Sequence, residues 1–220
     1  MAIKKYPKIE TIWERDMEGS RMLVPGQWRN PYVEQCAGLE WLWTEKVDGT
    51  NIRVIWDGYK VTFRGRTDAA QLQPHLLAKL EELFGGETNA QIFEQEFGDM
   101  PVILFGEGYG PKIQAGGGLY SDEPQFILFD CWVISSEYFL PFNALEEIAK
   151  AFGIERVPVV GRGKLLEAVT FVRHGFHSHI NVKHPPEGIV CRLPKDLYYG
   201  PERNRLIVKI KGRDFHEQDV

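Results

Sequence analysis

The chain has 220 residues, 43% of them hydrophobic, and 26 Lys and Arg against 31 Asp and Glu give a net charge of -5. That is enough apolar material for one large domain or two small ones. No run is long and apolar enough for a membrane span, and the opening MAIKKYPKIE lacks the apolar core of a secretory signal. A cytoplasmic protein with no membrane partner is therefore expected. Cys36, Cys131 and Cys191 are widely spaced, with no C-x-x-C pair. They suggest buried small hydrophobes in a reducing compartment, not a disulfide framework or a structural zinc site.

In chain order, residues 39–45, 51–56 and 59–64 read as strands rich in Ile, Val, Trp and Phe, and Asp57-Gly58 marks a hairpin between the last two. Lys46 then falls where a strand ends and a glycine-containing turn begins. Helices are expected at 74–84, 88–96, 142–152 and 163–173; in the third, Leu145, Ile148, Ala149 and Phe152 keep a helical stripe. Further strands are expected at 102–107, 125–133, 187–192 and 205–211. Hairpin strands with helices grouped between them point to an α+β fold of antiparallel sheets with packed helices. No repeat or linker divides the chain, so residues 1–220 read as a single domain.

A lysine that attacks phosphorus must first lose its proton, and with an ordinary pKa near ~10.4 only about one in a few thousand is a free amine at neutral pH. Burial or neighbouring cations lower that value. Lys209 and Lys211 qualify if their strand packs beside Lys46. They are separated by one residue, so a strand points both to one face. The same period puts Lys46 and Asp48 on one side if the first strand continues that far.

Six blocks occur in order: EKVDGTN at 45–51, FRGRT at 63–67, FGEGYG at 105–110, FILFD at 126–130, EGIV at 187–190 and VKIK at 208–211. Taken singly, each has an ordinary reading: Glu107 as a loop acid, Phe129 as core, Arg66 and the late lysines as a solvated strand face. Together they resemble the covalent nucleotidyltransferase superfamily of ATP-dependent polynucleotide ligases and mRNA capping enzymes, over nearly all the chain from Glu45 to Lys211. Within it the chain is most similar to RNA ligases of the phage nick-sealing type. The E-K-x-x-G-T-N form of the first block, GEGYGPKIQ in the third and the aromatic before the aspartate in FILFD carry that likeness.

The resemblance implies the ligase/capping-enzyme nucleotidyltransferase fold, which is ATP-grasp-like, with ATP and Mg²⁺ or Mn²⁺ as cofactors and RNA ends in a nicked or bridged duplex as partner. It implies that Lys46 attacks the α-phosphate of ATP and carries AMP through a phosphoamide bond. Lys209 and Lys211 would neutralise the α-phosphate and the departing pyrophosphate, and Phe129 would stack on adenine. Glu45, Asn51, Arg66 and Glu107 would contact the nucleotide, with Glu107 and Glu187 binding metal. The chemistry independently asks for such parts, since nucleotidyl transfer depends on positioning and charge neutralisation.

Departures from the family pattern are informative. Gly108 stands where a bulky apolar residue is usual, which is expected to loosen the packing beside Glu107. Only nine residues follow Lys211, so neither an oligonucleotide-binding barrel nor a helical C-terminal domain is expected. DNA ligase or capping chemistry, and a non-catalytic end-binding protein of the same fold, are the competing readings. The histidines of RHGFHSHINVKH, His174, His177, His179 and His184, match no zinc signature and read as a solvated loop. The glycines of QAGGGLYSD lack the Lys-Ser/Thr of a P-loop and read as flexibility. Trp13, Trp28, Trp41, Trp43 and Trp56 read mostly as core or rim. A basic track, Arg203, Arg205, Lys209, Lys211 and Arg213, and a smaller group of Lys60, Arg64 and Arg66 are candidates for meeting nucleic acid despite the acidic total.

Overall fold

Strands β1 (Glu10–Thr11), β2 (Trp13–Arg15) and β3 (Leu23–Trp28) open the computed structural model, which describes residues 3–215, and helix α1 (Pro31–Cys36) follows. Next come β4 (Trp41–Lys46), β5 (Thr50–Trp56), β6 (Val61–Arg64), α2 (Pro74–Phe84), α3 (Gly86–Phe97), β7 (Val102–Tyr109), β8 (Gln125–Val133) and β9 (Tyr138–Phe139). The remainder is α4 (Leu145–Phe152), β10 (Glu155–Arg156), β11 (Val159–Gly163), α5 (Leu165–His174), β12 (Gly188–Arg192), β13 (Tyr198–Tyr199), β14 (Asn204–Arg205) and β15 (Ile207–Lys211). The chain divides into two compact units. The first is Met1–Tyr6 with Asp48–Val157, and the second is Pro7–Val47 with Pro158–Val220.

The first unit is built on a six-stranded sheet, in the order β10-β8-β7-β5-β6 with β9 on β8. Side chains alternate along β5 as a strand requires. Ile52, Val54 and Trp56 join the core formed with Leu76, Leu80 and Phe84 of α2, Phe93 of α3, and Leu145, Ile148 and Phe152 of α4. Ile55 instead packs with Ile103, Phe105, Trp132 and Phe139 on the other side. The α4 stripe is buried as its spacing predicts, with Gly153 ending the helix in a left-handed conformation (φ 62). Each of these apolar side chains contributes about 1.5–3 kcal/mol by leaving water. Gly108 does not loosen this core: a Cβ there would meet Leu76 Cδ2 at 2.7 Å and Ile52 Cγ1 at 3.1 Å, so α2 occupies the space a larger residue would need.

The second unit is built on a five-stranded sheet, in the order β1-β15-β12-β4-β11. Its core joins Trp41 and Trp43 of β4 to Ile189 and Cys191 of β12, Val208 and Ile210 of β15, and Leu165, Ala168, Val169 and Val172 of α5. The outer strands β1 and β11 are the ones the sequence did not foretell. Trp13, Trp41, Trp43 and Trp56 are all buried, and Trp28 packs partly buried against the same core as Trp13. Cys131 and Cys191 are free and buried, and burial pushes both thiols above their ordinary range.

Candidate active site

Lys46 is the last residue of β4, and its position is fixed by β12, which pairs antiparallel with both β4 and β15. Gly188 lies opposite Lys46 on one side and opposite Lys211 on the other; Val190 does the same for Thr44 and Lys209. The condition set for Lys209 and Lys211, that their strand pack directly beside that of Lys46, is not met; β12 lies between β4 and β15. What closes the gap is Glu187, just ahead of β12. One carboxylate oxygen accepts from Lys46 Nζ and the other from Lys211 Nζ. Gly188 makes this possible: its φ of +154 disfavours any side chain, and a Cβ there would fall 2.1 Å from Ile210 O.

Lys209 and Lys211 share the face of β15 opposite the buried Val208 and Ile210, as their spacing requires. Burial, then the charges of Lys211 and Lys46, pull the Lys209 ammonium down to about 8. Burial pushes Glu187 upward, but the charge of Lys46 and the hydrogen bonds from Lys211 and Lys46 outweigh it and hold the carboxyl below its usual range. Three lysines and one glutamate on one sheet leave an excess of positive charge suited to a polyanion.

Glu45 points elsewhere. It is buried, and its carboxylate accepts from Ser178 Oγ and, at 2.8 Å, from His179 N. Ser178 Oγ in turn accepts from Ile180 N and Asn181 N at 3.0 and 3.1 Å. The residue before Lys46 thus holds the turn of the histidine-containing loop. Of that loop, His174, His177 and His179 are exposed, and no group of three or more His, Cys, Asp or Glu fit to hold a metal is gathered among the described residues.

In the first unit Asn51 and Glu107 are directly opposite one another across β5 and β7, two residues along β5 from the buried Arg53. The side-chain oxygen Oδ1 of Asn51 is buried with no hydrogen-bond partner among the described residues, an arrangement that costs about 1–3 kcal/mol unless a donor arrives. Phe129 is part-buried on β8 against Tyr6. Asp48 lies beyond the end of β4, so strand alternation does not relate it to Lys46. Its carboxylate accepts from Gly116 N at 3.1 Å, and Gly117–Leu119 forms a 3₁₀ turn.

Arg66 lies on an exposed loop after β6, beside exposed Arg64. That loop is anchored by Arg53, whose guanidinium is fully buried and donates to Gly65 O at 2.8 Å and Asp68 Oδ1 at 2.7 Å. The later basic track is not one surface: Arg205 is buried and paired with Asp196 at 3.2 Å, while Arg203 and Arg213 are exposed. Arg53, Ser178 and Tyr6 are the site-supporting residues that motif reading passed over. Only Arg53 carried a signal, a charge amid the apolar run of β5.

A family model described as RNA ligase matches residues 39–211. No curated protein matches the sequence. Among solved structures, a substituted Naegleria gruberi RNA ligase with ATP and Mn aligns with a TM-score of 0.66 at 18% identity, over 95% of this chain and 56% of that one. The same ligase with PPi aligns at 0.63 and 18%, over 97% and 63%, and a form with AMP and Mn at 0.62 and 18%, over 95% and 62%. At this identity the likeness is one of fold, and it confirms the expected α+β nucleotidyltransferase architecture. This chain spans about three-fifths of the length of those ligase chains.

Proposed function

This chain belongs to the RNA ligase family, and from that premise we propose that it joins a 3′-hydroxyl to a 5′-phosphate RNA end with ATP, by way of AMP carried on Lys46. Lys46 Nζ, having released its proton, bonds to the α-phosphorus as the bond to pyrophosphate breaks. A 5′-phosphate oxygen of RNA then takes the AMP, the N–P bond breaks, and Lys46 regains a proton. Attack of the 3′-hydroxyl on that 5′-phosphate forms the new linkage and releases AMP.

Lys209 and Lys211 are the cations for the phosphates, and Arg66 is assigned a phosphate contact. Asn51 and Glu107 are assigned the ribose and metal-phosphate region and Phe129 the adenine; for Glu45, whose side chain is engaged elsewhere, a nucleotide contact would run through the main chain. The acids proposed to hold Mg²⁺ or Mn²⁺ are Glu107 and Glu187. Glu107, opposite Asn51 with its buried amide oxygen in the first unit, and Glu187 in the second each offer the oxygen donors preferred by a hard cation that keeps several waters. When bound, such an ion neutralises charge on the phosphates. Residues 1–220 would serve as one adenylyltransferase domain, and nicked or bridged duplex RNA would be its substrate.

The observation that carries this reading is the bridge of Glu187 to Lys46 and Lys211, with Lys209 on the same face, inside a match to the RNA ligase family. Protein mixed with α-labelled ATP and Mg²⁺ is expected to give a covalently labelled band, stable to alkali and released by acid or acidic hydroxylamine as a phosphoamide should be, that Lys46→Ala abolishes. Equal label on Lys46→Ala would contradict it. Sealing assays on RNA, DNA and hybrid nicks would then separate an RNA enzyme, which needs 2′-hydroxyls at the break, from a DNA ligase. Binding of nicked duplex without AMP transfer would favour an end-binding protein.

A further inference from the structure

We propose that Tyr6 is a positioning residue for the nucleotide base: by gripping Phe129 and its neighbour Asp130, it fixes the stacking surface on which affinity and base selectivity for ATP depend. This rests on the assignment of Phe129 to adenine.

The register of β7 against β8 slips between Phe105 and Gly106, so that Phe105 faces Asp130 while Gly106 faces Leu128, and Phe129 is the extra residue of a β-bulge. A bulge re-aims a side chain and loosens the ladder that would otherwise orient it. Orientation must then come from side-chain contacts. Tyr6 supplies them on both sides of the bulge. Its ring meets Phe129 edge to face at a centroid distance of 4.9 Å and an angle of 75°, and Phe105 at 5.0 Å. Its hydroxyl donates to Asp130 Oδ2 at 2.7 Å, and Asp130 is fully buried.

Tyr6 is itself held in place. Ile3 packs in the same apolar cluster, and Lys4 Nζ sits 3.6 Å from the centre of the Trp132 ring. Immediately after Tyr6, at Pro7, the chain passes into the second unit. Residues 3–6 therefore act as a strap on the sheet face of β7 and β8, with Tyr6 as its last fastening. Without it, Phe129 loses an edge-to-face contact that helps set the plane of its ring, and stacking depends on the plane.

The test is a titration of enzyme–AMP formation on the full chain with labelled ATP, and with GTP as competitor, for wild type, Tyr6→Phe, Tyr6→Leu, Phe129→Leu and the Tyr6→Leu/Phe129→Leu double variant. Losing an aromatic edge contact should raise half-saturating ATP about tenfold in Tyr6→Leu, with the saturated rate within about twofold of wild type. Tyr6→Phe keeps the ring and the fold, and should show a smaller rise of about threefold from the lost hydroxyl bond. Discrimination against GTP should narrow in parallel, and Phe129→Leu should add little once Tyr6 is gone, since contacting residues are not additive. An unchanged ATP dependence in Tyr6→Leu, a fall in saturated rate alone, or strict additivity with Phe129→Leu would overturn the proposal. A wild type that takes no label would overturn the functional reading and this inference together; label with wild-type ATP dependence in Tyr6→Leu would overturn the inference alone.

Discussion

In the second unit the charged groups of the site lean on one another: Glu187 bridges Lys46 and Lys211, and Lys209 sits among them with its proton weakened. In the first unit, on a different sheet, the amide oxygen of Asn51 is buried with no hydrogen-bond partner among the described residues. One arrangement is nearly complete without ligand and would fold as it stands; the other carries an unmet group at a cost. The contrast teaches that loss of function should come with loss of stability in the second unit and without it in the first.

The largest expected effect tests the first half of that statement. Glu187→Gln leaves the ammonium groups of Lys46 and Lys211 without their carboxylate, and breaking this largely desolvated bridge should cost about 3 kcal/mol. For a chain of this size that is a fall in melting temperature of about 6–12 °C. Calorimetry of the variant should show it together with slower enzyme–AMP formation. A variant as stable as wild type would mean that the bridge does not hold the strands.

Asn51→Ala should behave in the opposite way. Removing an unmet buried acceptor should leave stability unchanged or raise it by about 1 kcal/mol, while half-saturating ATP rises. If both stability and ATP affinity fall, the oxygen is not waiting for ligand and the contrast between the units is broken.

The smallest effect concerns pH. Lys209 titrates near about 8 in the folded protein and at its ordinary higher value when unfolded. Between those values the unfolded chain holds a proton that the folded one lacks, so wild-type stability rises with pH across that window. At pH 7 both states are charged, and the folded state bears the full cost of burying that charge and of holding it near Lys211 and Lys46. Lys209→Met should therefore be more stable than wild type at pH 7, with the advantage shrinking as pH rises above about 8. Melting curves at several pH values measure this directly, and a constant difference would contradict it.

Local pattern made much of the fold legible. The hairpin at Asp57-Gly58, helix α2 and the long strand β8 follow from turn residues and periodicity, and Lys46 falls at a strand end as read. The first 38 residues were opaque because their strands are two to six residues long and interrupted by Pro25 and Gly26. Within the site, residue types were legible and adjacency was not. Nothing local says that Glu187 reaches Lys46 across 141 positions, since that contact exists only because β12 inserts between β4 and β15. The packing of Gly108 against Leu76 and the hold of Glu45 on Ser178 are likewise products of register and long-range placement.

The most direct measurement is to incubate the protein with ATP and Mg²⁺, digest it, and locate AMP by tandem mass spectrometry. AMP attached to the Lys46 side chain, and absent after Lys46→Ala, is the expected result. AMP on Lys209, Lys211 or any other residue, or no adduct at saturating ATP, would contradict the assignment of Lys46 as the nucleophile.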